Sequence, residues 1–219
     1  MIINSSSKII VGITQRIDSI AGRDELRDAL DQRLIQWVVR AGFLPLAIPN
    51  TLLAINHSGE VSDETTLEGW LKSVQPDALI LSGGNDIGEY AQRDATESHL
   101  LSWAETKRVP VLGICRGLQM MAVWAGADLA RIDGHAGTRH DLVALVDESE
   151  WPVNVNSYHN WGLSSCPEKF GVMAQAEDGC IEAIRHISLS WEGWMWHPER
   201  EMPFAQNDIK RLKRLFGGK

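Results

Sequence analysis

Short apolar runs alternate with helical patterns along the first 124 residues, and this alternation limits the fold more than any other feature of the chain. The runs are rich in β-branched residues, which is typical of buried strands. They predict strands at residues 8–14, 43–48, 77–82 and 109–114. The segments between and after them predict helices at residues 24–41, 62–74, 93–106 and 115 to about 124. Such a succession forms a parallel sheet covered by helices on both faces.

Beyond residue 127 the strands become shorter and less regular, and the chain ends in a helix. Strands are predicted at residues 142–146, 153–155, 171–176, 181–185 and 194–196, and the helix at about 205–215. No repeat or linker divides the sequence, so we expect one domain over residues 1–219. The predicted class is α/β, a three-layer sandwich around a central, mostly parallel sheet.

The composition excludes several functional classes. A net charge of −8 argues against nucleic acid or an anionic membrane as a partner, and no apolar run approaches the length of a membrane span. Three scattered cysteines, Cys115, Cys166 and Cys180, indicate a reducing compartment, and we expect a cytoplasmic protein. No metal-binding spacing of cysteine and histidine is present, so neither a metal nor a cofactor is predicted.

Residues 113–117, Gly-Ile-Cys-Arg-Gly, place Cys115 between a predicted buried strand and a predicted helix. The two glycines permit a tight turn, which makes this a sulfur counterpart of the Gly-x-Ser-x-Gly nucleophile elbow. The helix N-terminus and Arg116 would stabilise a thiolate, and the backbone N–H of Arg116 would face an oxyanion. On this motif alone, a packed core cysteine is the alternative.

Two further strand ends carry groups that such a nucleophile needs. His197 follows a short apolar strand, and Pro198 turns the chain so that Glu199 can orient the imidazole. Gly83 and Gly84 end a central strand and offer a second backbone donor to an oxyanion. Taken alone, His197 could be a structural histidine, and Gly83 with Gly84 could be a simple turn that ends a strand. The coincidence of both features with the Cys115 motif favours a cysteine-dependent enzyme.

Together these motifs resemble the class I glutamine amidotransferase-like superfamily, and within it the gamma-glutamyl-gamma-aminobutyrate hydrolase (peptidase C26) branch. The resemblance extends over nearly the whole chain. Its motifs lie at residues 11–16, 27–31, 83–87 with Tyr90, 93–97, 113–119, 155–159, 178–183 and 196–199. The resemblance implies a flavodoxin-like fold, with residues 27–31 in the first helix.

The resemblance also implies roles for individual residues. Cys115 would attack the γ-carbonyl of a glutamyl amide, His197 would transfer protons, and Glu199 would orient His197. Backbone N–H groups of Gly84 and Arg116 would form the oxyanion hole. The candidates for holding the substrate are Gln119, Asn156, Ser157, Tyr158, His159, Arg16 and Asn85.

Three functions remain open from the sequence. The first is a free-standing γ-glutamyl amide hydrolase acting on a small molecule; the others are a glutaminase subunit feeding a separate synthetase and a non-enzymatic regulatory module. The leaving group is an amine or an anionic, phosphate- or nucleotide-linked amidate of a surface-polysaccharide precursor. The cations offered to it are Arg16, Arg23, Arg27, Arg139 and His140. A homodimer is also left open.

Overall fold

A computed structural model describes residues 8–146 and 151–217, and its strands and helices follow the predicted alternation. In chain order the strands are β1 (Ile10–Thr14), β2 (Arg16–Ser19), β3 (Leu26–Ala29), β4 (Leu44–Ile48), β5 (Ala54–Ile55), β6 (Val61–Asp63), β7 (Ala78–Leu81), β8 (Val111–Ile114), β9 (Leu129–Arg131), β10 (Ala136–Ala144), β11 (Asn154–Tyr158), β12 (Trp161–Leu163), β13 (Phe170–Ala176), β14 (Ile181–His186) and β15 (Trp191–Trp194). The α-helices are α1 (Gln32–Arg40), α2 (Thr65–Val74), α3 (Ala91–Lys107), α4 (Arg116–Trp124) and α5 (Gln206–Gly217). Short 3₁₀ helices span Asn50–Leu52 and Pro198–Arg200.

Nine of the strands within the described ranges form one sheet, in the order β11-β10-β13-β14-β15-β8-β7-β1-β4. The five strands from β15 to β4 run parallel, and those from β11 to β15 pair antiparallel. Helical crossovers connect the first group, whereas short turns suffice for antiparallel neighbours. The α/β prediction is confirmed, and the sheet is mixed, with its parallel half in the region predicted to be parallel.

The central strand β7 shows how the layers form. Its residues are buried on both faces, and alternate side chains enter two separate apolar cores. Ile80 packs in the core that contains Trp37 of α1 and Phe216 of α5. Leu81 packs in the core that contains Leu100 of α3 and residues of α2 and α4. The sheet is therefore covered on both sides, as a three-layer sandwich requires.

The predicted helix at residues 24–41 is wrong in its first part. Residues 26–29 form β3, which pairs antiparallel with β2 and leaves Leu26 62% exposed. The helix begins after Asp31, whose carboxylate accepts a hydrogen bond from the Arg33 N–H and caps it. Arg27 and Asp28 therefore lie in a hairpin and not in a first helix, because the apolar spacing at 26–30 does not face the core.

Other predicted boundaries also differ from the structure. The strand predicted at residues 142–146 begins earlier and spans Ala136–Ala144, because residues 136–141 pair with β11. The helix predicted from residue 62 begins at Thr65, because Val61–Asp63 pairs with Ala54–Ile55. The strand predicted at 194–196 is Trp191–Trp194, which pairs in parallel with β8. The chain leaves the sheet after this strand, and that departure places His197 beyond its carboxyl end.

Residues 1–7, 147–150 and 218–219 of the predicted single domain lie outside the described residues. No helix in the described part combines the length and apolar character needed to cross a membrane.

Candidate active site

Cys115 occupies a sharp turn between β8 and α4. Its backbone has φ 51° and ψ −106°, a sparsely populated conformation that costs about 1–3 kcal/mol. The Cys115 N–H donates to the Trp194 carbonyl at 2.7 Å, which fixes the turn to the neighbouring strand. The turn also requires small flanking residues: a Cβ at Gly113 would lie 2.6 Å from the Gly117 backbone, and one at Gly117 would collide with the Leu81 carbonyl.

His197 and Glu199 lie just beyond β15, at the same edge of the sheet. His197 Nδ1 is 2.7 Å from Glu199 Oε1, and both side chains are buried. Cys115 lines the same cavity and is close enough to the imidazole to raise its pKa. Burial alone would lower the pKa of His197, but the interactions with Cys115 and Glu199 outweigh it and raise the pKa to about 9. The structure thus brings the three predicted residues together at one edge of the sheet.

The backbone of His197 is held by the amide side chain of Asn156 on β11. Asn156 Oδ1 accepts from the His197 N–H at 3.0 Å, and its Nδ2 donates to the His197 carbonyl at 2.9 Å and to Glu201 at 2.7 Å. The ring of Tyr158 packs edge-on against the imidazole, with centroids 5.7 Å apart. Asn156 was predicted to hold the substrate, but its amide binds the backbone of the histidine.

The glycine-rich segment after β7 approaches the imidazole closely. A Cβ at Gly83 would lie 2.6 Å from His197 Cε1, and Gly84 has φ +103°. The fully buried Arg93 supports this segment, since its guanidinium donates to the carbonyls of Ser82 at 2.6 Å and Gly83 at 3.1 Å. Gly84 thereby lies at the wall of the cavity that Cys115 also lines.

The amide of Asn85 is likewise committed to the protein. Its Oδ1 accepts from the Ile17 N–H at 2.8 Å, and its Nδ2 donates to the Ile17 carbonyl at 3.0 Å. The Asn85 side chain therefore joins the glycine-rich segment to β2. The structure places it as a support for the segment, whereas the sequence predicted a substrate contact.

The Arg116 side chain lies in a buried ion-pair cluster on the α3 side of the site. Its guanidinium contacts the carboxylates of Asp94 and Glu97. Burial, together with the nearby charge of Arg93, lowers the pKa of Arg116 to about 9. Two carboxylates offset this charge, so the predicted stabilisation of a thiolate by the guanidinium is not supported. The prediction for Arg116 that remains is the one for its backbone N–H.

A cavity of about 120 Å³ opens beside the sulfur. Its walls are Gly84, Asp86, Cys115, Arg116, Gln119, Tyr158, His159, Asn160, His197 and Arg200. Three predicted substrate residues, Gln119, Tyr158 and His159, are among them. Ser157 is fully buried and outside this lining, and Arg16 lines a smaller neighbouring cavity of about 40 Å³.

Three polar residues of the lining were not among the predicted site residues. Asp86 accepts from the indole N–H of Trp161 at 3.1 Å, and the Arg200 guanidinium stacks on the Tyr158 ring at 4.6 Å. Asn160 is the third. Arg200 directly follows Glu199 in the sequence, and that adjacency was the signal available for it.

A second group of polar side chains lies behind this cavity. Ligand atoms of His135, His159 and Glu182 lie within 4.8 Å of one another, and all three side chains are buried. The sequence predicted no metal site.

Comparison with known proteins shows the family. The family model for glutamine amidotransferase class-I matches residues 35–212 of the chain. The chain is 34% identical over 145 residues to gamma-glutamyl-CDP-amidate hydrolase of Campylobacter jejuni, covering 64% of this chain and 69% of that protein. It is 25% identical over 228 residues to the gamma-glutamyl-gamma-aminobutyrate hydrolase PuuD of Escherichia coli K12, covering 90% and 87%.

A solved structure supports the same conclusion for the fold. A glutamine amidotransferase from Thermotoga maritima superposes with a TM-score of 0.63 at 16% identity, covering 96% of this chain and 84% of that one. Residues 35–212 include the cysteine turn, the glycine-rich segment and the histidine–glutamate pair. The chain belongs to the class-I glutamine amidotransferase family.

Proposed function

We propose that this chain hydrolyses a γ-glutamyl amide and releases glutamate, with Cys115 as the nucleophile. The observation that carries the proposal is the position of His197, which is hydrogen-bonded to Glu199 and lines the same cavity as Cys115. The names of the Campylobacter and Escherichia relatives state hydrolysis of γ-glutamyl compounds, and they support the substrate class.

The proposed reaction has two halves. The thiol proton passes from Cys115 to His197, whose raised pKa favours the charged imidazole, and the sulfur then attacks the γ-carbonyl carbon. The carbon–nitrogen bond breaks as His197 gives this proton to the leaving nitrogen. The resulting glutamyl thioester is attacked by water, which gives its proton to His197. The carbon–sulfur bond breaks, and glutamate and the free thiol are released. Glu199 holds the imidazole in the orientation that both halves require.

Backbone donors are proposed to stabilise the charge that develops on the carbonyl oxygen. Gly84 and Arg116 line the cavity on either side of Cys115, and Arg116 is the first residue of α4. The N–H groups in the first turn of a helix have no partner within the helix, so they are free to face an oxyanion. Gln119, one helical turn further, is proposed to contact the glutamyl group.

An anionic, nucleotide-linked amidate is the proposed leaving group. The name of the Campylobacter relative specifies a CDP-amidate. Arg200 lies at the cavity wall, and the half-exposed Arg16 lies beside Gly84. Guanidinium groups in these positions suit a phosphate, and the exposed pair of Arg16 with Asp18 is too weak to prevent it.

The other predicted cations have different partners. Arg23 and Arg27 pair with Glu25, Arg139 pairs with Glu201, and His140 faces Glu182. None of these four residues lines either cavity, so the leaving-group contacts are assigned to Arg200 and Arg16. We further propose that the enzyme acts without a synthetase partner, since both relatives described above are named as hydrolases.

A substrate panel tests the proposal. Glutamate release is measured from a γ-glutamyl nucleoside diphosphate amidate, γ-glutamyl-γ-aminobutyrate and free glutamine, with the unaltered chain and with Cys115→Ala. We expect the highest kcat/KM for the amidate and its loss in the variant. Cys166→Ala is the matched control, because Cys166 lies away from the cavity and its thiol donates to the Phe170 carbonyl.

The outcomes separate the candidate functions. A preference for free glutamine that an added synthetase increases would support the glutaminase subunit instead. Full activity of Cys115→Ala would contradict both enzymatic functions.

A further inference from the structure

Four polar side chains meet behind the cavity wall and form a histidine cluster, defined here as His135, His140, His159 and Glu182. Glu182 Oε1 on β14 lies 3.5 Å from His135 Nδ1, 3.3 Å from His140 Nε2 and 3.5 Å from His159 Nε2. Glu182 is 0% exposed, and His135 and His159 are 4% and 3% exposed. The cluster is distinct from the Cys115 site, although His159 also lines the cavity.

The tautomers of two of these histidines follow from their outer partners. His135 Nε2 lies 2.9 Å from Asp178 Oδ2, and His159 Nδ1 lies 3.0 Å from the Trp161 carbonyl. Both partners are acceptors, so these nitrogens carry the hydrogens, and a neutral ring presents a lone pair from its other nitrogen. Both lone pairs then point toward the carboxylate of Glu182.

Lone pairs that face a carboxylate need a positive charge between them. The inner nitrogens of the three histidines and both Glu182 oxygens make no hydrogen bond to any residue within the described ranges. Buried polar atoms without partners are costly, and native proteins seldom contain them without an ion, a water molecule or a proton to satisfy them. Several converge here on one point, which favours a bound cation.

We propose that the histidine cluster is a structural Zn²⁺ site, with His135 Nδ1, His159 Nε2 and Glu182 Oε1 as ligands. Imidazole nitrogens with a carboxylate oxygen are a donor set that Zn²⁺ accepts. Tetrahedral ligands at zinc bond lengths lie about 3.3 Å from one another. His135 Nδ1 and His159 Nε2 each lie 3.5 Å from the carboxylate oxygen, close to that spacing, and the three ligand atoms all lie within 4.8 Å of one another.

The surroundings of the cluster fit a metal centre. Metal-binding histidines donate their second N–H to a carboxylate or a backbone carbonyl, as His135 does to Asp178 and His159 does to Trp161. Histidines must be neutral to bind a metal, and with neutral rings the two negative charges of Glu182 and Asp178 would balance a divalent cation. Three histidinium protons shared with Glu182 would satisfy the same atoms without a metal, and the experiment separates these cases.

The ion would fix the wall of the cavity and would take no part in the reaction at the sulfur. Its ligands join β14 and the residue before β10 to the segment after β11. The Trp161 carbonyl that receives the His159 hydrogen also accepts from Gln119 Nε2 at 2.9 Å. The position of Gln119 in the cavity is therefore coupled to the cluster through one carbonyl oxygen.

Metal analysis of the full chain, purified without a polyhistidine tag, tests the site. We expect about one zinc ion per chain by mass spectrometry, and less than about a tenth of that in His135→Gln and in Glu182→Gln. His99→Gln is the matched control, because His99 belongs to an exposed group with Glu64 and Glu68 whose ligand atoms are equally close. This control should keep its zinc.

A second measurement uses only the unaltered chain, so its result does not depend on whether a variant folds. The unaltered chain is stripped with a chelator and titrated with Zn²⁺, Co²⁺ or Mg²⁺. We expect Zn²⁺ to raise the Tm, Co²⁺ to give the visible absorption of a tetrahedral N/O site, and Mg²⁺ to do neither. Purified protein without zinc whose Tm is unchanged by Zn²⁺ would overturn the proposal in favour of a protonated network. Zinc retained in both cluster variants would overturn it as well.

Discussion

The proposed triad and the histidine cluster use the same residue types, histidine and glutamate, in opposite arrangements. His197 is hydrogen-bonded to Glu199 and interacts with Cys115, so the imidazole links the other two groups in a line. In the cluster, the imidazoles of His135 and His159 direct one nitrogen each at a single oxygen of Glu182. Acidic and basic groups arranged in a line can pass a proton from one to the next, whereas nitrogen and oxygen lone pairs that point to one place can bind a cation.

The two arrangements also lie in different halves of the sheet. The triad is built on β8 and β15, at the carboxyl ends of parallel strands, where such sheets hold their sites. The cluster lies in the antiparallel half: Glu182 lies within β14 and His140 within β10, whereas His135 directly precedes β10 and His159 directly follows β11. The proposed triad therefore comes from the ends of parallel strands, and the cluster combines residues within antiparallel strands with residues at their ends.

The largest expected effect distinguishes the roles of two histidines. His197→Gln should lower kcat by about 10³-fold or more, because it removes the proposed general base. His135→Gln should instead remove the bound zinc and lower the Tm, with a much smaller effect on kcat. Steady-state kinetics and metal content are measured for both variants. Equal losses of kcat would break the distinction between the two sites.

The second effect concerns packing at the cysteine turn. Gly117→Ala should lower the free energy of unfolding by about 3 kcal/mol, because the new Cβ meets the Leu81 backbone. Gly171→Ala on β13 is the matched control, since nothing lies within 4 Å of its Cβ position, and it should change stability by less than about 0.5 kcal/mol. Urea denaturation measures both. Similar values would show that the turn is not tightly packed.

Asn156→Ala should have a smaller effect on activity than loss of the histidine itself. The variant removes both side-chain hydrogen bonds to the His197 backbone, so we expect kcat to fall by about 10- to 100-fold while KM changes little. The control is Asn154→Ala, because Asn154 is exposed and contacts Arg139 and Asp141. A rise in KM with kcat unchanged would instead support the role that the sequence predicted for Asn156, contact with the substrate.

The smallest effect is a difference in titration between two buried histidines. Burial lowers the pKa of His186, whose Nδ1 accepts from two backbone N–H groups, whereas the pKa of His197 is raised to about 9. Nuclear magnetic resonance should show both directions. Glu199→Gln should lower the midpoint of His197 by about one to three pH units and leave His186 unchanged. An unchanged titration midpoint of His197 would mean that Glu199 does not stabilise the positive charge of the imidazole.

The same shift makes a prediction about stability, with a definite sign. Because the pKa of His197 is higher in the folded chain than its ordinary value of about 6.5, protonation stabilises the folded state fully below about pH 6.5. That contribution is lost as the pH rises through about 9. The difference in unfolding free energy between the unaltered chain and His197→Gln should follow this window, and a flat difference would contradict it.

The three residues of the proposed triad lie together as the sequence predicted, and their signals in the sequence are local. Gly113 and Gly117 frame the cysteine within five residues, and Pro198 separates His197 from Glu199. The substrate contacts were predicted less well. Asn85 and Asn156 have the right side chains to hold a ligand, but whether an amide meets a substrate or a backbone depends on distant segments folding beside it.

The histidine cluster had no local signal. Only His135 and His140 lie close in the sequence, five residues apart, and His159 and Glu182 follow too far along the chain to complete a recognisable metal-binding motif. They meet because β10 pairs with β11 and because β14 lies two strands further along the sheet. The helix predicted at residues 24–41 was wrong in its first part for a similar reason. Residues 26–29 have the apolar spacing of a helix, but they form β3 because they pair with β2.

The hydrogen bond from the Cys115 N–H to the Trp194 carbonyl has a consequence for how the enzyme fails on heating. It joins β8, which Cys115 follows, to β15, which precedes His197. Separation of these strands would move His197 away from Cys115 and disrupt the strained turn at the same time. Heat inactivation should therefore be cooperative and should leave no half-assembled form with a reactive sulfur exposed to oxidants.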